Sequence, residues 1–290
     1  MAGRQVIAPA LRSIGRSEPI ESLRPLSGGC IHQATLVTLR GGDTLVVKCG
    51  REAAPLFHEE ALGLNALAAT RTIPVPQSLG VWEDGDAAAL LMTYVPPAPA
   101  TERSWRRLGE ELAALHQSPA GERYGFHIDN HLGLTPQPNA WCDDWVEFNR
   151  RHRLGFQIER ADAAGLLLAN EVVELRHLLD RLDHLLPRRP CPALLHGDLW
   201  SGNALPTLDE RVAVIDPAPS VGDGWADIAM MRLFGGFPPA CLDAYAQCVD
   251  DHEDVDTRIA VYQLYHLLNH LNLFGRGYAG QVMEIVRRLR

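Results

Sequence analysis

Short apolar runs at Leu36–Leu39 and Thr44–Lys48 predict two strands, and Gly41-Gly42-Asp43 between them supplies the turn of a β-hairpin. From about Phe57 to Ala69 the period lengthens, because Phe57, Leu64 and Leu67 recur at helical spacing. Pro74 and Pro76 close that segment, and Ser78–Trp82 and Ala88–Tyr94 predict further strands. The stretch Val95-Pro96-Pro97-Ala98-Pro99 can continue neither a helix nor a central strand, so a boundary is expected there. Beyond it the pattern is helical over Trp105–His116, Asp144–Arg160, Asn170–Leu186 and Thr257–Phe274, interrupted by the short apolar runs Ala193–Leu195 and Val212–Ile215. The expected layout is α+β, with a small β-rich lobe over residues 1–94 and a larger helical lobe over 95–290.

Composition narrows the function classes. The 290 residues are 46% hydrophobic, enough for a sizeable core, and the formal net charge of −9 argues against a broad surface for nucleic acid or anionic membrane. No run approaches the roughly 20 apolar residues that span a bilayer. Met1–Arg16, with Arg4, Arg12 and Arg16 among apolar residues, reads as a first amphipathic helix rather than a secretory peptide. The six cysteines are scattered without a C-x-x-C pair, which predicts neither a zinc site nor a disulfide framework and fits a reduced, cytoplasmic setting.

The chemistry concentrates in His196-Gly197-Asp198-Leu199-Trp200-Ser201-Gly202-Asn203, followed by Val214-Ile215-Asp216-Pro217. Phosphoryl transfer needs a carboxylate to orient the attacking hydroxyl and take its proton, and oxygen ligands for a Mg²⁺ bridging the ATP phosphates. Asp198 suits the base, and Asn203 and Asp216 suit the metal. Turn capping would also account for an isolated Asp and Asn, but not for the whole constellation. Lys48 ends an apolar strand and is the only lysine in the chain, which points to a role that a guanidinium cannot fill. Glu60 lies beside the apolar stripe of its helix, where a carboxylate needs a partner, and Lys48 is the expected one. Glu59 competes for that role, and the helical phase favours Glu60. Gly28-Gly29-Cys30, ahead of the hairpin, could cover phosphates with backbone N–H groups, although it is no Walker motif. Cys30 reads equally as a redox-sensitive thiol or an inert small residue. Asp227 is expected to brace the catalytic loop, and His116 to sit in the core. No G-x-S-x-G or H-E-x-x-H motif is present.

On these residues the chain resembles the fructosamine/ketosamine kinases, relatives of the aminoglycoside and choline kinases in the protein-kinase-like superfamily. Trp200 within the HGD…N run, Leu233-Phe234-Gly235-Gly236-Phe237 and the segment Leu264–Gly275 carry the likeness to the ketosamine branch, with Asn130–Asn139 and Phe57–Ala61 in support. The resemblance implies a two-lobed kinase fold and ATP-dependent phosphorylation of the 3-hydroxyl of ketoamine sugars on amines or protein lysines, leading to deglycation. It implies Asp198 as base, Asn203 and Asp216 on magnesium, and Gly28, Gly29, Cys30, Lys48 and Glu60 at ATP. Adenine would meet the chain near Met92 and Tyr94, and Trp200 would line the sugar pocket. One departure stands out: Gly224-Trp225 occupies the place of the Arg-Glu pair common in the family, in a segment expected at the active-site rim. A kinase of aminoglycosides, amino alcohols or free sugars is the competing enzyme reading. A nucleotide-binding pseudokinase is disfavoured because Lys48, Glu60, Asp198, Asn203 and Asp216 are all present.

Overall fold

A computed structural model describes residues 2–26 and 33–290. The chain forms two compact units, Met1–Trp105 with Gly202–Pro217, and Arg106–Ser201 with Ala218–Arg290. Among the described residues no helix is long and apolar enough to cross a membrane.

The first unit is built on an antiparallel sheet of β1 (Ile20–Pro25), β2 (Gln33–Leu39), β3 (Thr44–Arg51), β4 (Ser78–Asp84) and β5 (Ala87–Thr93), in the order β1-β2-β3-β5-β4. Successive side chains of a strand point to opposite faces, and the two faces have separate cores. Leu45 and Val47 of β3 join Val37, Leu39, Ala89 and Leu91 under α1 (Ala2–Ser13), which contributes Ile7, Ala10 and Leu11. The other face puts Leu90 and Met92 of β5 against Phe57 and Leu64 of α2 (Ala54–Thr70), with Val46 of β3 packed beside them. Lys48 lies two residues after Val46 and shares its side of the sheet.

The hairpin, the two later strands and the α2 helix lie where the hydrophobic pattern predicts them. β1 escapes that pattern: an edge strand whose sequence, Ile-Glu-Ser-Leu-Arg-Pro, is mostly exposed offers little apolar signal. The proline stretch after Tyr94 does not end this unit. Ala98 N–H donates to the Pro206 carbonyl at 2.8 Å, and Pro97 bridges to Thr207, so a small ribbon of Ala204–Pro206 and Val212–Val214 is tied to the same unit.

The second unit is helical. Its elements are α3 (Glu102–His116, in which the division between the units falls), α4 (Trp145–Phe148), α5 (Gly155–Ala163), α6 (Ala169–Asp180), α7 (Trp225–Leu233), α8 (Pro239–Cys248), α9 (Val255–Phe274) and α10 (Ala279–Arg288). α5, α7 and α10 pack on α9, which buries Ile259, Leu264, Leu267, Leu268 and Leu271. Two expected helices are interrupted. Asp144 caps α4 by accepting the Glu147 N–H at 3.0 Å, but a π-helical turn at Asn149–Leu154 separates α4 from α5. α6 stops at Asp180, and a 3₁₀ turn at Leu182–His184 takes over. The short apolar runs become small antiparallel ribbons, Pro192–Leu195 pairing with Ser220–Asp223 in this unit.

Candidate active site

In the first unit three of the expected residues meet. The Lys48 ammonium donates to Glu60 Oε1 at 2.7 Å and to Asp216 Oδ1 at 2.5 Å. The strand period turns Lys48 to the side of the sheet that α2 covers, and Glu60 extends from α2 to meet it. Of the two candidate acids on α2, Glu60 is the one that meets Lys48. Burial pulls the lysine towards neutrality, but Asp216 and Glu60 outweigh it and hold its pKa above the ordinary value. Glu60 is the strained partner. Its carboxyl is raised to about 7: burial pushes it up most, Lys48 pulls it down, and the Asp216 carboxylate competing for the same ammonium pushes it up again.

Asp216 itself has φ +55°, a left-handed backbone that an L-residue adopts at a cost and that aspartate tolerates better than most. The residue before it is pinned, since Ile215 N–H donates to the Asn203 carbonyl at 3.0 Å. Asn203 and the Ile215–Asp216 step are therefore neighbours, as joint ligation of one ion requires. Beside them lies a cavity of about 230 Å³ with Val46, Met92, Tyr94, Leu205 and Ile215 as walls and Lys48 and Asp216 at its polar end. An apolar slot closed at one end by charge matches a planar base with a polyphosphate tail. Met92 and Tyr94 both line it. Gly28, Gly29 and Cys30 lie outside the described residues.

The second unit holds Asp198 and Trp200, both half-buried. Their loop is fixed from behind by Asp227 of α7, whose carboxylate accepts the His196 N–H at 2.7 Å and the Gly197 N–H at 2.8 Å. His116 Nε2 meets the same carboxylate at 3.1 Å, and His116 Nδ1 meets the Tyr245 hydroxyl at 2.9 Å. Burial pushes the Asp227 pKa up, but His116, His196 and the Gly197 N–H together hold it below the ordinary value. Gly197 has φ +84°, and a Cβ there would sit 2.0 Å from the Ala218 carbonyl oxygen, so no larger residue fits. The Asp198 N–H in turn meets His196 Nδ1 at 3.2 Å. Asp227 is thus the brace, and His116 the core histidine, that their sequence settings predict.

A buried amide network steadies the chain after Pro217, and composition gave no sign of it. Asn130 donates to the Pro219 carbonyl at 2.9 Å, and Gln137 to the Ala218 carbonyl at 3.1 Å and to Asn130 Oδ1 at 2.9 Å. Tyr265 donates to Gln137 Oε1 at 2.7 Å. Asn139 links Asn130 to Arg153, which leaves the π-helical turn to donate to Asn139 Oδ1 at 2.7 Å and to the Pro138 carbonyl at 2.7 Å. The cluster of Asn and Gln within Asn130–Asn139 was the available signal. Arg153 carried none.

The rim expectation for Gly224-Trp225 is corrected. Trp225 is buried, with its indole N–H on the Asp251 carbonyl at 2.9 Å. A Cβ on Gly224 would lie 2.7 Å from both His116 Nδ1 and the Tyr245 hydroxyl. Asp223 just before them receives Arg258 and the Tyr262 hydroxyl in the core. The pair fills interior space that an Arg-Glu pair could not occupy in the same way, and offers nothing to a ligand.

Among the described residues no cluster of three His, Cys, Asp or Glu could hold a metal alone. A magnesium ion needs none, since one or two protein oxygens plus phosphate oxygens and water suffice. Asn203 and Asp216, brought together by the Ile215–Asn203 backbone bond and with Asp216 lining the slot, supply oxygens of the kind that requirement calls for.

Residues 4–290 match the fructosamine kinase family. A probable ketoamine kinase of Synechocystis is 38% identical over 288 residues, covering 98% of this chain and 96% of that protein. The crystal structure of a putative fructosamine-3-kinase from Thermobifida fusca superposes with a TM-score of 0.88 at 33% identity, covering 98% of each chain. The choline kinase of Streptococcus pneumoniae shares the fold alone, with a TM-score of 0.65 at 18% identity over 100% of this chain and 99% of that one. The chain belongs to the fructosamine kinase family and is a phosphotransferase with an alcohol acceptor, built on the two-lobed protein-kinase-like fold.

Proposed function

We propose that this protein phosphorylates the 3-hydroxyl of ketosamines, free or formed on protein lysines, using ATP and magnesium in the cytoplasm. The observation that carries the kinase assignment is Lys48 held between Glu60 and Asp216 at the polar end of an apolar slot. The acceptor class rests on membership of the family along nearly the whole chain.

In this reading adenine enters the slot beside Met92 and Tyr94, and Lys48 meets the phosphates with Glu60 fixing its position. Gly28, Gly29 and Cys30 cover the phosphates from their backbone. Asn203 and Asp216 hold magnesium, which when bound neutralises charge on the transferring phosphoryl group. Asp198 orients the sugar hydroxyl and accepts its proton as the oxygen attacks the γ-phosphorus, with ADP leaving. Trp200 offers an aromatic face to the sugar. The 3-phosphate then promotes loss of the sugar from the amine, so the reaction serves deglycation.

The test is ADP release from magnesium-ATP with fructosyl-lysine, ribulosyl-lysine, choline and an aminoglycoside. Release dependent on a ketosamine is expected. Release with choline or the aminoglycoside alone would keep the fold and mechanism and overturn the deglycation role.

A further inference from the structure

An aromatic cluster stands exposed beside the catalytic loop. Phe274 ends α9 at 63% exposure, and Phe234 caps α7 at 42%. The His270 ring lies between them and Tyr278, with ring centroids 4.8 Å from Phe234, 5.5 Å from Phe274 and 5.2 Å from Tyr278. Phe274 and Tyr278 are themselves 6.1 Å apart. Large apolar rings left in water need an explanation when they are contiguous.

The chain places this cluster next to the chemistry. After Phe234, Gly235 and Gly236 adopt φ of +69° and +92°, turning the backbone until a Cβ on Gly236 would sit 2.5 Å from the side chain of Ser201. Ser201 directly follows Trp200, and the two residues from Phe234 to Gly236 span at most about 7 Å. The Phe234 end of the cluster is therefore tied through Gly236 to the loop that carries Asp198 and Trp200.

The cluster is also electrically suited to a cation. The Nδ1–H of His270 donates to the His266 carbonyl at 2.8 Å, and burial lowers the His270 pKa, so the ring is neutral and repels nothing positive. The nearby Arg276 is turned away, to Glu171 and the Leu166 carbonyl. Several aromatic faces around one space bind alkylammonium groups through their quadrupoles.

We propose that Phe234, Phe274 and Tyr278, gathered round His270, bind the ammonium nitrogen of a ketosamine and the methylene stem of the lysine that bears it. This rests on the ketosamine reading. In that substrate the nitrogen is joined to C1, two carbons from the C3 hydroxyl, so a sugar held at Asp198 and Trp200 sends its amine and stem out along a neighbouring surface. The rings would make the enzyme selective for sugars attached to a cationic amine over the same sugars carried on a neutral nitrogen.

The experiment compares fructosyl-lysine with its counterpart acylated at the ketosamine nitrogen, using wild type, Phe274→Leu and Phe274→Trp. Phe274 is mostly exposed, so both variants should fold. Phe274→Leu keeps apolar area and loses the π face, and should raise KM for the cationic substrate about five-fold. The change should fall on KM rather than kcat, as loss of ground-state binding does, and KM for the neutral substrate should not follow. Phe274→Trp should keep or lower the cationic KM. An unchanged KM in Phe274→Leu, or an equal rise for both substrates, overturns the proposal while wild-type turnover leaves the ketosamine reading intact. A wild type idle with both substrates overturns the two together.

Discussion

The loop that carries Asp198 is braced from behind by Asp227 and His116. Asp198→Asn should lower kcat about 100- to 10,000-fold while ATP still binds, as loss of a positioned base does. Near-normal turnover in single-turnover assays would remove Asp198 from the proposed base role. Glu60 makes a different prediction, about pH. Its carboxyl is raised from 4.5 to about 7, so the folded protein binds that proton more tightly than the unfolded chain does. The stabilisation is complete below about pH 4.5 and is lost as pH rises through 7. Urea denaturation of wild type and Glu60→Gln should show the wild type's relative stability falling between pH 5 and pH 8, and a flat difference would refute the shift. The pairing of Lys48 with Glu60 was legible, because strand period and helical phase each dictate a direction. Lys48 reaching Asp216, 168 positions along the chain, was not, since no local period encodes so distant a meeting.

At the scale of elements, α3 and α8 approach closely at Gly109, where a Cβ would meet the Cys241 carbonyl oxygen at 2.1 Å and the Tyr245 nitrogen at 2.9 Å. Alanine gains about 1 kcal/mol of helix propensity over glycine, yet here it collides with backbone that cannot rotate away. Overpacking of that kind costs about 1–3 kcal/mol, so Gly109→Ala should lower Tm. A raised Tm would show that the helices separate freely. Some helices were legible from recurring apolar positions, among them α2 and α9. The π-helical turn at Asn149–Leu154 was not, because it leaves the apolar spacing nearly intact and shows itself only by directing Arg153 into the amide network. β1 was missed for the opposite reason, since an edge strand buries too little to impose a pattern.

Over the whole molecule, the strand-rich start and helical remainder were readable from periodicity, and the HGD…N run with its later segments pointed to the family. Which stretch belongs to which compact unit was less so: Gly202–Pro217 joins the first unit through the ribbon that Ala98 grips, a tie between segments far apart in sequence. A ligand that binds only the folded state raises Tm, so magnesium-ATP should stabilise wild type and Asp198→Asn alike. Asp216→Asn should lose most of that shift in differential scanning fluorimetry, and an undiminished shift would remove Asp216 from the proposed nucleotide site.

Lys48 carries one more consequence. Unprotonated, accessible ε-amines attack the carbonyl carbon of reducing sugars. This chain possesses a single ε-amine, 7% exposed and kept charged by two carboxylates. On the proposed function, an enzyme that acts on lysine-borne sugar would itself present no accessible lysine to be damaged. Prolonged incubation with ribose, then intact-mass measurement, should show no adduct on Lys48, leaving the α-amine as the sole amine to react. Sugar found on Lys48 would mean that its buried ion pairs open often enough to expose it.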